Sequence, residues 1–183
     1  MQDAVRLRIK AAGRFTPPTS QLSEEERALV FRAVQSVIEA DGLLAQPGAA
    51  LLLSLRSELA LEELPELGVE LHAEDLREAR LSPAAADYLC YMALLAGYAN
   101  GALSESQDRV ISDLCEAMGI RPERREEIRA ACQRAILEAN ILMNLSDVIA
   151  SSDLAQRFCQ ELGLEIECLE SVADMILESV TEA

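Results

Sequence analysis

Hydrophobic residues along the chain recur at three- and four-residue spacing, and polar punctuation divides them into helical segments. Leu29, Val30, Ala33, Val34, Val37 and Ile38 form the first stripe. Ser23-Glu24-Glu25-Glu26 opens it as a capping box: the serine oxygen accepts from the N3 amide, and Glu26 reaches back. Gly42 ends this helix as a C′ glycine. Pro47-Gly48 is a turn or the first turn of a next helix, which Leu51, Leu52, Leu55 and Leu59 mark. Pro65 and Gly68 interrupt the chain, and a short helix is predicted from about Ala73 to Arg80.

Ser82-Pro83 begins another helix, a cap followed by Pro at N1. Leu89, Met92, Ala93 and Ala96 carry it to Tyr98, and Asn100-Gly101 is the turn. Ser104-Glu105-Ser106-Gln107 is a second capping box, with Val110, Ile111, Leu114, Cys115 and Met118 behind it and Gly119 at its close. Arg121-Pro122 starts a helix carrying Ile128, Cys132, Ala135, Ile136 and Ala139, and Asn140 to Asn144 reads ambiguously. A helix from about Asp153 stops at Gly163. The last segment places Ile166, Leu169, Val172, Ile176 and Val180 on one face, opposite Glu165, Glu167, Glu170, Asp174 and Glu178. That face packs on the bundle, or serves as a dimer contact or a helix for a partner groove.

The pattern therefore predicts an all-α fold, a single bundle of about seven to nine helices over residues 21–183. Residues 1–20 stand apart as a flexible basic segment and Pro-rich linker. Val5 to Lys10 alternates apolar and basic, and Thr16-Pro17-Pro18 breaks regular structure. This segment is a loose tail, one folded back on the acidic body, or a docking peptide.

The helical body looks internally duplicated with pseudo-twofold symmetry. Laying Asp41 on Asn100, an offset of 59 residues, brings Gly42 onto Gly101, Leu44 onto Leu103, Leu51 onto Val110, Leu55 onto Leu114 and Leu59 onto Met118. The repeats span about 23–80 and 82–140, with C-terminal helices over about 145–181. A weaker echo pairs Leu114-Cys115-Glu116-Ala117-Met118-Gly119-Ile120 with Phe158-Cys159-Gln160-Glu161-Leu162-Gly163-Leu164.

Composition narrows the function classes. The formal charge is −16, from 32 acidic and 16 basic residues. Phosphate recognition needs a basic footprint, so nucleic acid is disfavoured, as is an anionic membrane surface. Cations or basic protein partners fit better. The five cysteines are widely spaced with no CxxC, which points to buried thiols in a reducing compartment rather than a disulfide framework. Neither a signal peptide nor an uncharged span of membrane length is visible, so the expected location is cytoplasmic. The single histidine, His72, falls in a connection and reads as a surface residue. With no phosphate loop, dinucleotide fingerprint or clustered zinc ligands, a catalytic role has no motif behind it.

Ala40-Asp41-Gly42-x-Leu44 and Ala99-Asn100-Gly101-x-Leu103, the latter followed by Ser104-x-x-Gln107 and the ending Met118-Gly119-Ile120, resemble the tellurite-resistance TerB-like family over about residues 25–165. The resemblance implies a duplicated helical bundle with an acidic surface. It also implies an association with bacterial tellurite and stress-response systems, with membrane-linked complexes, and with proposed divalent cation binding. The chain departs from the family pattern at Asn100, Gln107 and Gly48, leaving Asp41 the only acid of the four matched positions. The metal candidates are Asp41, Glu39, Asn100, Glu105 and Asp108, with Ca²⁺ or Mg²⁺ as the ion. Otherwise Asp41 and Asn100 are ordinary turn residues. The expected function is a non-enzymatic scaffold that binds a protein partner, possible also as a homodimer. The alternatives are cation binding at the two turns and an enzyme with an unrecognised site.

Overall fold

Every residue from Tyr88 to Gly97 is buried, and this stretch forms the axis of the molecule. A computed structural model of the chain describes residues 21–42, 46–61, 71–144, 152–169 and 172. Its elements are α1 (Glu24–Glu39), α2 (Gln46–Glu58), α3 (Ala73–Ala79), α4 (Pro83–Gly97), a 3-10 turn (Tyr98–Asn100), α5 (Glu105–Ala117), α6 (Pro122–Met143) and α7 (Ser152–Leu162). No strand occurs among the described residues. Residues 1–20, the Pro65–Gly68 interruption and, in the final apolar segment, residues 170, 171 and 173–183 lie outside them.

From Tyr88 to Gly97 α4 is apolar on every face, as a helical stretch enclosed on all sides must be, while Asp87 in its first turns pairs with Arg124. α1, α5 and α6 pack on it, α2 lies against α1, α3 against α5 and α1, and α7 against α6. Tyr91, Met92, Leu94, Leu89, Leu55, Ile111, Ile128 and Ile136 are among the fully buried side chains at the centre. No helix among the described residues is long and apolar enough to cross a membrane.

The start signals read from the sequence are in place. Ser23 Oγ accepts from Glu26 N at 3.1 Å, and Ser23 N donates to Glu26 Oε2 at 2.8 Å. Ser104 and Gln107 form the same reciprocal pair at the head of α5, at 3.2 Å each way. Glu26 does more than close its own box: its Oε1 accepts from Ser82 Oγ at 3.2 Å, which ties the start of α1 to the N-cap of α4.

The helix ends repeat one geometry. Gly119 N donates to Glu116 O and Ile120 N to Cys115 O. Gly163 N donates to Gln160 O and Leu164 N to Cys159 O. Both are Schellman closures with glycine at positive φ. α2 ends the same way, with Ala60 N to Ser57 O and Leu61 N to Arg56 O, but here the left-handed position is an alanine, at φ 48°. Arg27 Nη1 donates to Leu59 O at 3.0 Å and so supplies this end with an extra partner for its carbonyls.

Two readings are sharpened. Pro47-Gly48 lies in the first turn of α2, where a proline needs no amide partner. Gly48 is small because α1 is close: a Cβ there would stand 2.8 Å from Ile38 Cγ2. Asn140 to Met143 is helical, the end of α6, with Ile141 buried, and Asn144 is its C-cap, whose Nδ2 donates to Asn140 O at 2.8 Å. Of the last amphipathic face, Val172 is buried and Leu169 half-buried, but Ile166 is 51% exposed at a turn after Gly163.

Candidate functional site

Among the described residues, Asp41, Glu39, Glu105 and Asp108 form no common cluster. Asp41 follows α1 and projects onto the N-terminus of α5. Ser104 Oγ donates to Asp41 Oδ1 at 2.7 Å, Ser106 Oγ donates to the same oxygen, and the two hydroxyls are 3.0 Å apart. The Ser106 hydroxyl, with Ser104 beside it, holds the Asp41 carboxyl below the usual aspartate range. A negative charge is also favoured at this helix end, where unpaired amides leave a partial positive charge.

Asp108, one turn further along α5, is occupied by two guanidiniums. Arg125 Nη2 and Arg129 Nη2 both reach its Oδ1, at 2.5 and 2.6 Å. This fastens α5 to α6. Glu105 is exposed in the first turn of α5. Glu39 is exposed near the end of α1 and accepts from Gln35 Nε2 at 2.9 Å. Asn100 ends the 3-10 turn, and its side chain lies outside the described residues. Among the described residues, no three His, Cys, Asp or Glu side chains gather in a group that could hold a metal ion.

The two turns differ in character. The residue 59 places after Glu39 is Tyr98, which is buried; burial raises its phenol pKa. Gln133 Nε2 donates to Tyr98 Oη at 2.9 Å and to Leu162 O at 2.8 Å, which stitches the second turn to α6 and α7. The first turn keeps a carboxylate in water and the second is built into the core.

The first turn borders a groove of about 560 Å³ between α1, α3 and α5. Leu71, Val110 and Leu114 supply its apolar surface, and Gln35, Glu39, His72 and Asp113 supply its polar edge. Glu39, His72 and Asp113 are exposed, whereas Gln35 is almost fully buried. α3 is held at the groove by Asp75, whose Oδ2 accepts from Arg32 Nη2 and from His72 N, each at 3.1 Å. His72 is the N-cap residue of α3, a surface position as its sequence context predicts. Asp113 and Gln35 were not legible as site residues. Each reads as a polar position on an amphipathic helix, and only the packing of α5 beside α1 places them on one groove.

A second feature hidden from the sequence is a pair of thiols. Cys90 in α4 and Cys115 in α5 are both buried, with their sulfurs 3.2 Å apart. The hydrogen bond to Cys115, together with burial, pushes the Cys90 thiol far up. Cys115 is pulled down by the Cys90 hydrogen bond, helped by Arg125 and Arg129 and opposed by burial and by Asp108. None of the five cysteines is joined in a disulfide.

Comparison of the chain with protein-family models, with curated proteins and with solved structures finds no match to any of them.

Proposed function

We propose that this chain is a non-enzymatic, TerB-like helical protein that binds a basic, amphipathic segment of a protein partner, as a scaffold in a bacterial stress-response assembly. The observation that carries the binding reading is the groove between α1, α3 and α5. Its apolar residues Leu71, Val110 and Leu114 lie under exposed carboxylates of Glu39 and Asp113. An apolar floor with acidic edges suits a helix or extended segment that alternates Leu-like and Arg-like side chains. The net charge of −16 favours the encounter with such a partner.

Internal duplication belongs to the same reading. α1 and α4 start 59 residues apart, at Glu24 and Pro83, and α2 and α5 start and end 59 apart, at Gln46–Glu58 and Glu105–Ala117. Gly97 stands 59 places after Ile38, and a Cβ there would meet the side chains of Leu103 and Ile111.

The test is a titration by fluorescence anisotropy with a labelled basic amphipathic peptide of alternating Arg and Leu. Glu39→Lys/Asp113→Lys should weaken binding by about tenfold or more, and Glu161→Lys/Glu167→Lys, with the same change in net charge outside the groove, by much less. Equal losses from both variants would mean that the peptide follows overall charge, and the groove would be dropped as the site.

A further inference from the structure

We propose that Cys90 and Cys115 are an oxidation site: a hydroperoxide converts the two thiols into a reversible disulfide joining α4 to α5. The sulfurs face each other across the packed helices at 3.2 Å. A disulfide bond is about 2.05 Å long, so closing it takes roughly 1.1 Å of approach, a scale that side-chain rotation covers. Both residues are buried, at 0% and 2% exposure, so the pair is shielded from large oxidants. A small hydroperoxide enters through local opening of the kind every packed helix undergoes.

The surroundings assign the roles. The hydrogen bond with Cys90 favours the thiolate on Cys115 against the cost of burial, and Arg125 and Arg129 add to it while Asp108 opposes. On Cys90 the hydrogen bond with Cys115 and burial both favour the protonated thiol. Cys115 is therefore the attacking sulfur and Cys90 the resolving one. The Cys115 thiolate attacks one peroxide oxygen and the O–O bond breaks. Hydroxide leaves and takes up the proton that Cys115 had released, giving one water and a sulfenic acid on Cys115. The Cys90 sulfur then attacks the Cys115 sulfur, the S–O bond breaks, and the second water departs with the Cys90 proton. Two thiols lose two electrons and two protons, and one hydrogen peroxide becomes two waters. In a reducing cell the pair rests as the dithiol, and a thiol reductant restores it by exchange.

The experiment uses the reduced full-length protein, exposed to hydrogen peroxide, quenched, unfolded, alkylated and mapped by mass spectrometry. The expected product is a linked peptide pair holding Cys90 and Cys115, two hydrogens lighter than its parts. The melting temperature should rise by about 5–10 °C, because the bridge closes a loop in the unfolded chain, and dithiothreitol should reverse both changes. Cys90→Ala should halt at a dimedone-reactive sulfenic acid on Cys115. If that variant does not fold, the wild-type peptide map decides alone. Recovery of both thiols alkylated after native treatment, or appearance of the linked pair only in protein unfolded beforehand, would overturn the proposal.

Discussion

Ser104 Oγ donates a 2.7 Å hydrogen bond to Asp41 Oδ1, so the acid that ends the first helix sits on the N-cap of α5, 63 residues away. At the other end of α1, Glu26 grips Ser82, the N-cap of α4. Each end of α1 thus places a carboxylate on a serine that starts a helix of the second half. Neither contact is local, and both let one acid serve as a turn or cap residue and as a tertiary clasp.

The Asp41 clasp predicts an acid-sensitive contribution to stability. Hydrogen bonds from Ser106 and Ser104 depress the folded carboxyl below its unfolded value. A depressed pKa stabilises above the unfolded value, about 3.9, and the contribution is lost as pH falls through the folded one. Asp41→Ala should therefore melt lower than wild type at neutral pH, and the gap should close below about pH 4. Melting curves across that range check it; a gap that is constant with pH would remove the carboxylate charge from the explanation.

Ala60 should accept glycine with a gain. Its φ of 48° is left-handed, a conformation that costs a residue with a Cβ about 1 kcal/mol or more. Gly119 and Gly163 fill the same place at the ends of α5 and α7. Ala60→Gly should raise unfolding free energy by about 0.5–1 kcal/mol, less than the full strain because glycine is freer in the unfolded chain. Urea unfolding measures this, and a loss of stability would mean that α2 ends differently.

Asp108 should matter for stability rather than for ions. Removing it leaves Arg125 and Arg129, which are 17% and 21% exposed, without their shared carboxylate. Because Asp108 itself is 41% exposed, water screens part of the pairing, and Asp108→Ala should cost about 1–2 kcal/mol. Chemical denaturation gives the value; an unchanged midpoint would show that the two guanidiniums rehydrate freely.

Divalent ions should have small and similar effects. Asp41 and Asp108 are already engaged by hydroxyls and guanidiniums. After chelator treatment, millimolar Ca²⁺, Mg²⁺ or Mn²⁺ should raise the melting temperature slightly and alike, by screening the −16 charge. A saturable rise for one ion, lost in Asp41→Ala, would instead place a cation at the first turn.

Most helices and their ends can be read from short-range patterns in the chain. Ser23, Ser82 and Ser104 were legible as N-caps, and Gly119 and Gly163 as stops, because these signals act within one turn of chain. Apolar spacing located the core faces of α1, α5 and α6 for the same reason. Packing in three dimensions is what encloses α4 from Tyr88 to Gly97, carries Glu26 and Asp41 across to Ser82 and Ser104, and gives Asp108 to two arginines. It alone also brought Cys90 to Cys115 and set Glu39 and Asp113 on one groove. Those relationships depend on how helices far apart in the chain lie against one another, and a side chain's spacing in sequence carries no record of the neighbour that packing gives it.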